Sequence, residues 1–305
     1  MTQPQQSDPD QLAFQQYRTL LFSVAYRLLG SAADAEDVVQ DSWLKWSAAD
    51  RSQVADPKAY LTRIVSNLAM ERLRSTRHQR ETYVGPWLPE PILTDPDTAD
   101  GVATADSVST ALLVVLETLS PLERAVFVLK EAFAFSYAEI ADAVERSEPA
   151  VRQAAHRARE HVQARRPRFT ADRARRREVS ERFFAAATGG DINTLMELLS
   201  PDVTLWTDGG GKVRQALKPV VGLEVVARWF AALGTATYQG IEPGQMRAEL
   251  TWINDGPGVI FRGPDRVIAT LTFDFDPEGR ISTIHNVANP DKLHAVTEGT
   301  RHELS

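Results

Sequence analysis

The sequence predicts a multidomain chain in which two all-α helical domains, the second with a helix-turn-helix, precede an α+β cone-shaped domain with a curved antiparallel sheet. Three observations predict it. At 305 residues the chain is longer than one hydrophobic core usually serves. Up to about residue 165 the apolar residues recur at spacings of three and four, the period of a half-buried helix. From Thr204 onward they alternate in short runs bounded by DGGG, NDGPG, GPD and DPEG turns, the period of a strand.

The first helical domain is expected over residues 9–80. Phe14, Tyr17, Leu21, Val24 and Leu28 form one stripe, and Gly30 closes that helix. Ser31 caps a second helix with acids in its first turn, and a third starts after Pro57 and ends among Arg72, Arg74, Arg77 and Arg80. Residues 81–106 hold six acids, four prolines and no lysine or arginine, which reads as an extended acidic linker. Residues 107–166 form the second helical domain. SPLE at Ser120 and SYAE at Ser136 are capping boxes, and Ser147 with Pro149 opens a third helix after only ERS, the layout of a helix-turn-helix. A basic joint at 167–177 leads into the α+β domain at 178–297, with two helices, then strands interrupted by one helix near EVVARWFAAL.

Composition narrows the function classes. With 43% apolar and 25% charged residues the chain is of the folded, soluble kind. The absence of cysteine removes disulfides, thiolate nucleophiles and cysteine-ligated zinc, and the six histidines have no metal-ligand spacing, so neither metal nor cofactor is expected. The start MTQPQQSDPDQ lacks the pattern of a signal peptide, and no 18-residue apolar run occurs, so a cytoplasmic chain without membrane contact is expected.

Net charge is −7, yet residues 147–177 carry ten arginines against three acids. On the helix opened by Ser147, Arg152, His156 and Arg159 share a face, Gln153 and Arg157 lie beside them, and Val151, Ala155 and Ala158 can pack inward. Arginine and glutamine there can bond base edges in a major groove while other arginines hold phosphates. Tyr60, Arg63 and Asn67, followed by Arg72 and Arg74, could track a single strand and stack on bases. The helix at 34–46 carries acids and Trp43, Leu44 and Trp46, which fit a core or a docking face equally.

WTDGGGK fails as a phosphate loop, since Trp206 stands where the first glycine belongs and Val213 follows the lysine; a hairpin turn accounts for it. Asp208 and His285 near Trp206, Trp229 and Trp252 could line a pocket, but they lack the paired acid and base of general catalysis.

DAEDVVQDSWLKW, AYLTRIVSNLAMERLR and LSPLERAVFVLKEAFAFSYAEIADAVERSEPAVRQAAHRAR resemble regions 2 and 4 of bacterial extracytoplasmic-function (ECF) sigma factors over about the first 165 residues. The third domain resembles the polyketide-cyclase-like, nuclear-transport-factor-2-like fold. WLPEP at 87–91, DGGGK at 208–212 and NPDKL at 289–293 are similar to signatures of group 41 of that class. The resemblance implies a non-enzymatic initiation factor with core RNA polymerase (β′ and β subunits) and promoter DNA as partners. Asp37, Gln40, Asp41 and Leu44 would dock on the β′ clamp helices. Tyr60, Arg63, Asn67, Arg72 and Arg74 would serve the minus-ten element, and Arg152, Gln153, His156, Arg157 and Arg159 the minus-thirty-five element. The acidic linker would enter the positively charged polymerase channel.

The same resemblance implies a fused regulatory domain in place of a separate anti-sigma protein, acting at high effective concentration in an inhibitory or a supportive role. Its residues would be Trp87, Pro89, Asp208, Gly209, Gly210, Gly211, Lys212, Asn289, Pro290, Asp291, Lys292 and Leu293, in contact with region 2, region 4 or the linker. Whether a small molecule fills the last domain is open at this stage. Two rivals are a one-component helix-turn-helix regulator with a ligand-binding domain and a cyclase-type enzyme with a DNA-binding appendage; the first leaves the N-terminal bundle and the linker without a role.

Overall fold

The computed structural model describes residues 9–50, 52, 54–95, 109–165, 173–232, 236–302 and 304. Residues 96–106 of the expected linker, 107–108 at the start of the second helical domain and 166–172 around the expected basic joint lie outside the described residues. The chain divides into two compact units, one holding residues 1–77 and 116–164, the other 78–115 and 165–302.

In the first unit, α1 (Pro9–Leu29), α2 (Ala32–Ser47) and α3 (Pro57–Glu81) follow the expected order. Phe14, Leu21, Val24 and Leu28 are buried as one stripe. Gly30 takes φ +66° and donates its N–H to the Tyr26 carbonyl at 2.7 Å, a left-handed stop that suits a residue without Cβ. Ser31 Oγ accepts the Asp34 N–H at 3.1 Å.

Beyond the linker, α5 (Pro121–Phe127) and α6 (Tyr137–Val144) both start on complete capping boxes, each cap contributing about 1 kcal/mol. Between them residues 128–132 form a π-helical turn that the apolar pattern does not signal. Glu145 at φ +54° ends α6, and after Ser147 the chain enters α7 (Glu148–Arg165). Val151, Ala154, Ala155, Ala158 and Val162 are its buried side. Arg27 and Arg124 are both buried: Arg124 donates to the Arg27 carbonyl at 3.3 Å and pairs with Glu117, and the Arg27 guanidinium lies 4.7 Å over Phe133. The N-terminal bundle and the start of the second helical domain therefore share one packed interior.

In the second unit α4 (Thr110–Leu116), α8 (Arg173–Gly189), α9 (Ile192–Leu198), α10 (Leu223–Ala231) and α11 (His294–Glu298) accompany six strands. The strands are β1 (Leu199–Asp208), β2 (Val220–Val221), β3 (Arg247–Ile253), β4 (Gly256–Arg262), β5 (Val267–Phe275) and β6 (Ile281–Val287), in the order β2-β1-β6-β5-β4-β3. The expected antiparallel sheet has one parallel pairing, β1 with β6, in register Leu205 to Ile284. Alternation in sequence fixes which residues share a face and says nothing of the direction of a distant partner, so the sheet is mixed.

One sheet face packs on α8, α9 and α10, with Phe183 edge-on to Phe230 and Phe273 at 5.0 and 5.2 Å. The other face holds Ile253, Ile260, Val267, Val287, Leu293 and Val296 together with Leu88 and Leu93 of the linker. Residues 88–94 are thus not a free extended spacer. Leu88, Ile92 and Thr94 are fully buried. The Thr94 N–H donates to the Trp252 carbonyl at 3.1 Å, and the Asn254 N–H donates to the Ile92 carbonyl at 3.1 Å, so the segment runs along β3. Three apolar side chains within a proline-rich acidic stretch outweigh its polar composition.

Candidate functional site

The helix-turn-helix surface comes first. On α7, Arg152, Gln153, His156 and Arg157 are exposed and Arg159 is half-buried, while the alanines and valines between them face the core, as the spacing predicts. Each cation on this face already has a partner. Arg152 pairs with Glu148 and lies 4.4 Å over the Tyr137 ring, and His156 sits 3.2 Å from Glu160. Arg157 and Arg159 meet Glu123 and Glu131, both at 2.7 Å.

On α3, Arg63 donates to Glu145 Oε1 at 2.9 Å and Asn67 to the same atom at 3.4 Å. Sequence reasoning assigns both residues to the minus-ten surface and overlooks Glu145, their shared partner at the turn between α6 and α7. Tyr60 is partly covered, its ring 5.9 Å from buried Trp46. Arg72 binds Asp34 at 2.6 Å and Asp37 at 3.3 Å, and Arg74 is exposed.

On α2 the spacing of Asp37, Gln40, Asp41 and Leu44 yields one exposed stripe, with Leu44 59% exposed beside the acids. The tryptophans divide: Trp46 is core, and Trp43 packs edge-on against Phe14 at 5.1 Å. The apolar element of that face is therefore Leu44.

The second unit contains a buried polar knot in which all three short signatures meet. Asp208, at the end of β1 and without solvent exposure, accepts from Tyr83 Oη at 2.5 Å, the Leu88 N–H at 2.8 Å, the Gly210 N–H at 3.1 Å and Lys292 Nζ at 2.7 Å. Lys292 also donates to the Leu88 carbonyl at 2.6 Å, with Trp87 and Tyr83 rings 4.0 and 4.8 Å from its ammonium. Trp87 carries Arg80 4.3 Å from its ring.

Asn289 donates to Tyr83 Oη at 2.8 Å and caps the short 3₁₀ turn Pro290–Lys292 by accepting from Asp291, which pairs with Lys212 at 2.5 Å. Pro89 and Leu293 are buried beside this knot. Burial brings the Lys292 ammonium down to about 8, against the pull of Asp208. Burial and the neighbouring Asp208 push the Tyr83 phenol up, so it stays a donor.

DGGGK is a tight turn, as expected: the Lys212 and Val213 N–H groups both donate to the Gly209 carbonyl. Gly210 has φ +57°, and a Cβ there would lie 2.3 Å from Asn289 Nδ2. Tyr83 is the knot member that the sequence gives no reason to single out.

The catalytic constellation considered for Asp208 and His285 does not form. Asp208 is committed to the linker. His285 lies 3.8 Å from Asp274, and burial pushes Asp274 up to about 7, with Arg176 opposing, while it pulls His285 down to about 4. The tryptophans disperse: Trp206 packs with the Leu88 cluster, Trp252 lies under Arg173 at 4.1 Å, and Trp229 lines a cavity between helices and sheet. Among the described residues no cluster of His, Cys, Asp or Glu suits a metal, and no helix is long and apolar enough to cross a membrane.

Residues 13–79 match the Sigma-70 region 2 family and residues 109–162 match Sigma-70, region 4, the domain pair of a sigma-70-type initiation factor. The ECF RNA polymerase sigma factor SigJ of Mycobacterium tuberculosis is 40% identical over 290 residues, 92% of each chain. A probable ECF sigma factor, SigI, of the same organism is 33% identical over 94% of this chain and 96% of its own length. The crystal structure of M. tuberculosis SigJ superposes with a TM-score of 0.73 at 37% identity, covering 92% of this chain and 97% of that one. The chain belongs to the ECF RNA polymerase sigma factors. It is accordingly a partner of core RNA polymerase and promoter DNA and not an enzyme, and the match at 13–79 removes the one-component regulator.

Proposed function

We propose that this sigma factor is regulated by its own C-terminal domain, without a separate anti-sigma protein, through capture of the linker. The observation that carries the reading is the Asp208 knot, which binds Tyr83 and Leu88 from the linker and Lys292 from NPDKL at once. While it is closed, residues 88–94 are occupied along β3 and unavailable to an extended path through the polymerase channel. Opening it frees that segment.

In this reading Asp37, Gln40, Asp41 and Leu44 dock on the β′ subunit, with β as a further contact. Tyr60, Arg63, Asn67, Arg72 and Arg74 grip the minus-ten element, and Arg152, Gln153, His156, Arg157 and Arg159 read the minus-thirty-five element. The shared Glu145 supports a resting state, because it neutralises a minus-ten candidate and sits on the helix-turn-helix turn. DNA phosphates replace such exposed carboxylate partners at little cost, since a surface ion pair contributes at most about 1 kcal/mol.

The test is initiation in vitro by core polymerase with the full chain, with Asp208→Asn, and with Arg157→Ala. Asp208→Asn raises the yield of transcript and Arg157→Ala lowers it about tenfold, the scale of one base-reading contact. Equal yields from wild type and Asp208→Asn contradict control through the knot.

A further inference from the structure

The knot lies on one face of the sheet, and a different feature lies on the other. Between α8, α10 and the strands β3 to β6 is a cavity of about 660 Å³, the size that holds a drug-sized molecule. Its walls are mainly apolar and aromatic, with Phe184, Trp229, Phe230, Phe261 and Leu271 among them.

Among the polar residues of this lining, Thr188 and Thr237 spend their hydroxyls on the Phe184 carbonyl and Glu242, Arg247 is exposed, and Asn286 and Tyr238 remain. Asn286, on β6, is 6% exposed, and among the described residues nothing donates to its Oδ1. Tyr238 lines the same space, its hydroxyl engaged by the Gln215 side-chain amide. A buried amide oxygen without a donor costs more than the same site filled with carbon, so its presence in an apolar cavity points to a ligand group that donates to it.

We propose that the cavity binds a neutral, largely apolar small molecule bearing one hydroxyl, with the hydroxyl on Asn286 and the apolar body against Trp229, Phe184 and Phe261. A hydroxyl fits because its O–H donates to Asn286 Oδ1. Aromatic walls favour a flat ring system, which stacks on them. Arg247, the charged residue of the lining, is exposed, whereas the wall around Phe230 and Leu271 is buried and apolar, so the body of the ligand there is neutral. Asn286 lies three residues before Asn289 on one run of chain, so the ligand site and the knot share β6 and its continuation.

The experiment is equilibrium dialysis of the full chain with 4-phenylphenol and, separately, biphenyl, which differ by the hydroxyl alone. Wild type binds the phenol at least tenfold more tightly than biphenyl. Asn286→Leu removes the polar anchor at similar volume, so it keeps biphenyl and loses the preference; retained biphenyl binding also shows that the variant is folded. Ala236→Trp, at the exposed mouth, blocks both compounds.

Three results overturn the proposal: no binding of either compound by wild type up to its solubility, an undiminished preference in Asn286→Leu, or undiminished binding by Ala236→Trp. The assay reads binding without polymerase, so its failure leaves the proposed control by Asp208 standing, and the failure of that control leaves this site standing.

Discussion

Two carboxylates each gather residues from distant parts of the chain, and they do so in opposite environments. Glu145 meets Arg63 with both side chains more than half exposed. Asp208 meets Lys292 with exposures of 0% and 7%. The first pair lies in water and exchanges partners easily, as a surface that reads DNA requires. The second has lost its hydration, so each of its hydrogen bonds must be present or the whole site becomes costly. Position in the solvent, more than the identity of the ion pair, separates a contact that yields from a contact that holds.

The largest break comes from Asp208→Ala. It leaves the Lys292 ammonium, the Leu88 N–H and the Tyr83 hydroxyl buried without their acceptor, and the second unit loses about 3–5 kcal/mol in urea denaturation. Gly210→Ala acts on the same knot through the backbone. Positive φ and the Cβ clash with Asn289 together cost about 2–3 kcal/mol, measured the same way.

These two residues show what could be read from sequence. DGGGK and NPDKL are visible as motifs, and their glycine, proline and asparagine turn chemistry gives the local geometry. Their meeting is not visible: Asp208 and Lys292 lie on separate elements, and only the sheet register brings β1 beside β6. The helix starts at Ser31, Ser120 and Ser136 were legible to the residue because capping is local chemistry, whereas the π-helical turn at 128–132 was not. The burial of Leu88, Ile92 and Leu93 was hidden by the acids and prolines around them, and Tyr83 and Glu145 gave no signal because their roles exist only across long separations.

A smaller effect comes from pH. Burial raises Asp274 to about 7 in the folded protein, so between its unfolded value and 7 the folded state binds more protons. Its contribution is fully present below about pH 4 and is lost as pH rises through 7. Asp274→Asn lacks that loss. The stability of wild type relative to this variant therefore falls between pH 4 and 8, read from thermal unfolding at matched ionic strength.

The smallest change sharpens the other side of the comparison. Glu145→Gln shifts the stability of the first unit by less than about 1 kcal/mol, since its partners are solvated with or without it. Its effect lies in DNA binding, where Arg63 and Asn67 are released, and promoter-fragment affinity rises at low salt more than at high salt.

Hydrogen exchange across residues 83–94 of the full chain, in wild type and Asp208→Asn, tests the captured linker most directly. The Leu88, Ile92 and Thr94 amides, which donate to Asp208, Asn254 and Trp252, are protected in wild type. In the variant they exchange faster while the β5 amides keep their protection. Free-chain exchange of those amides in wild type, or the same protection in both proteins, contradicts the account.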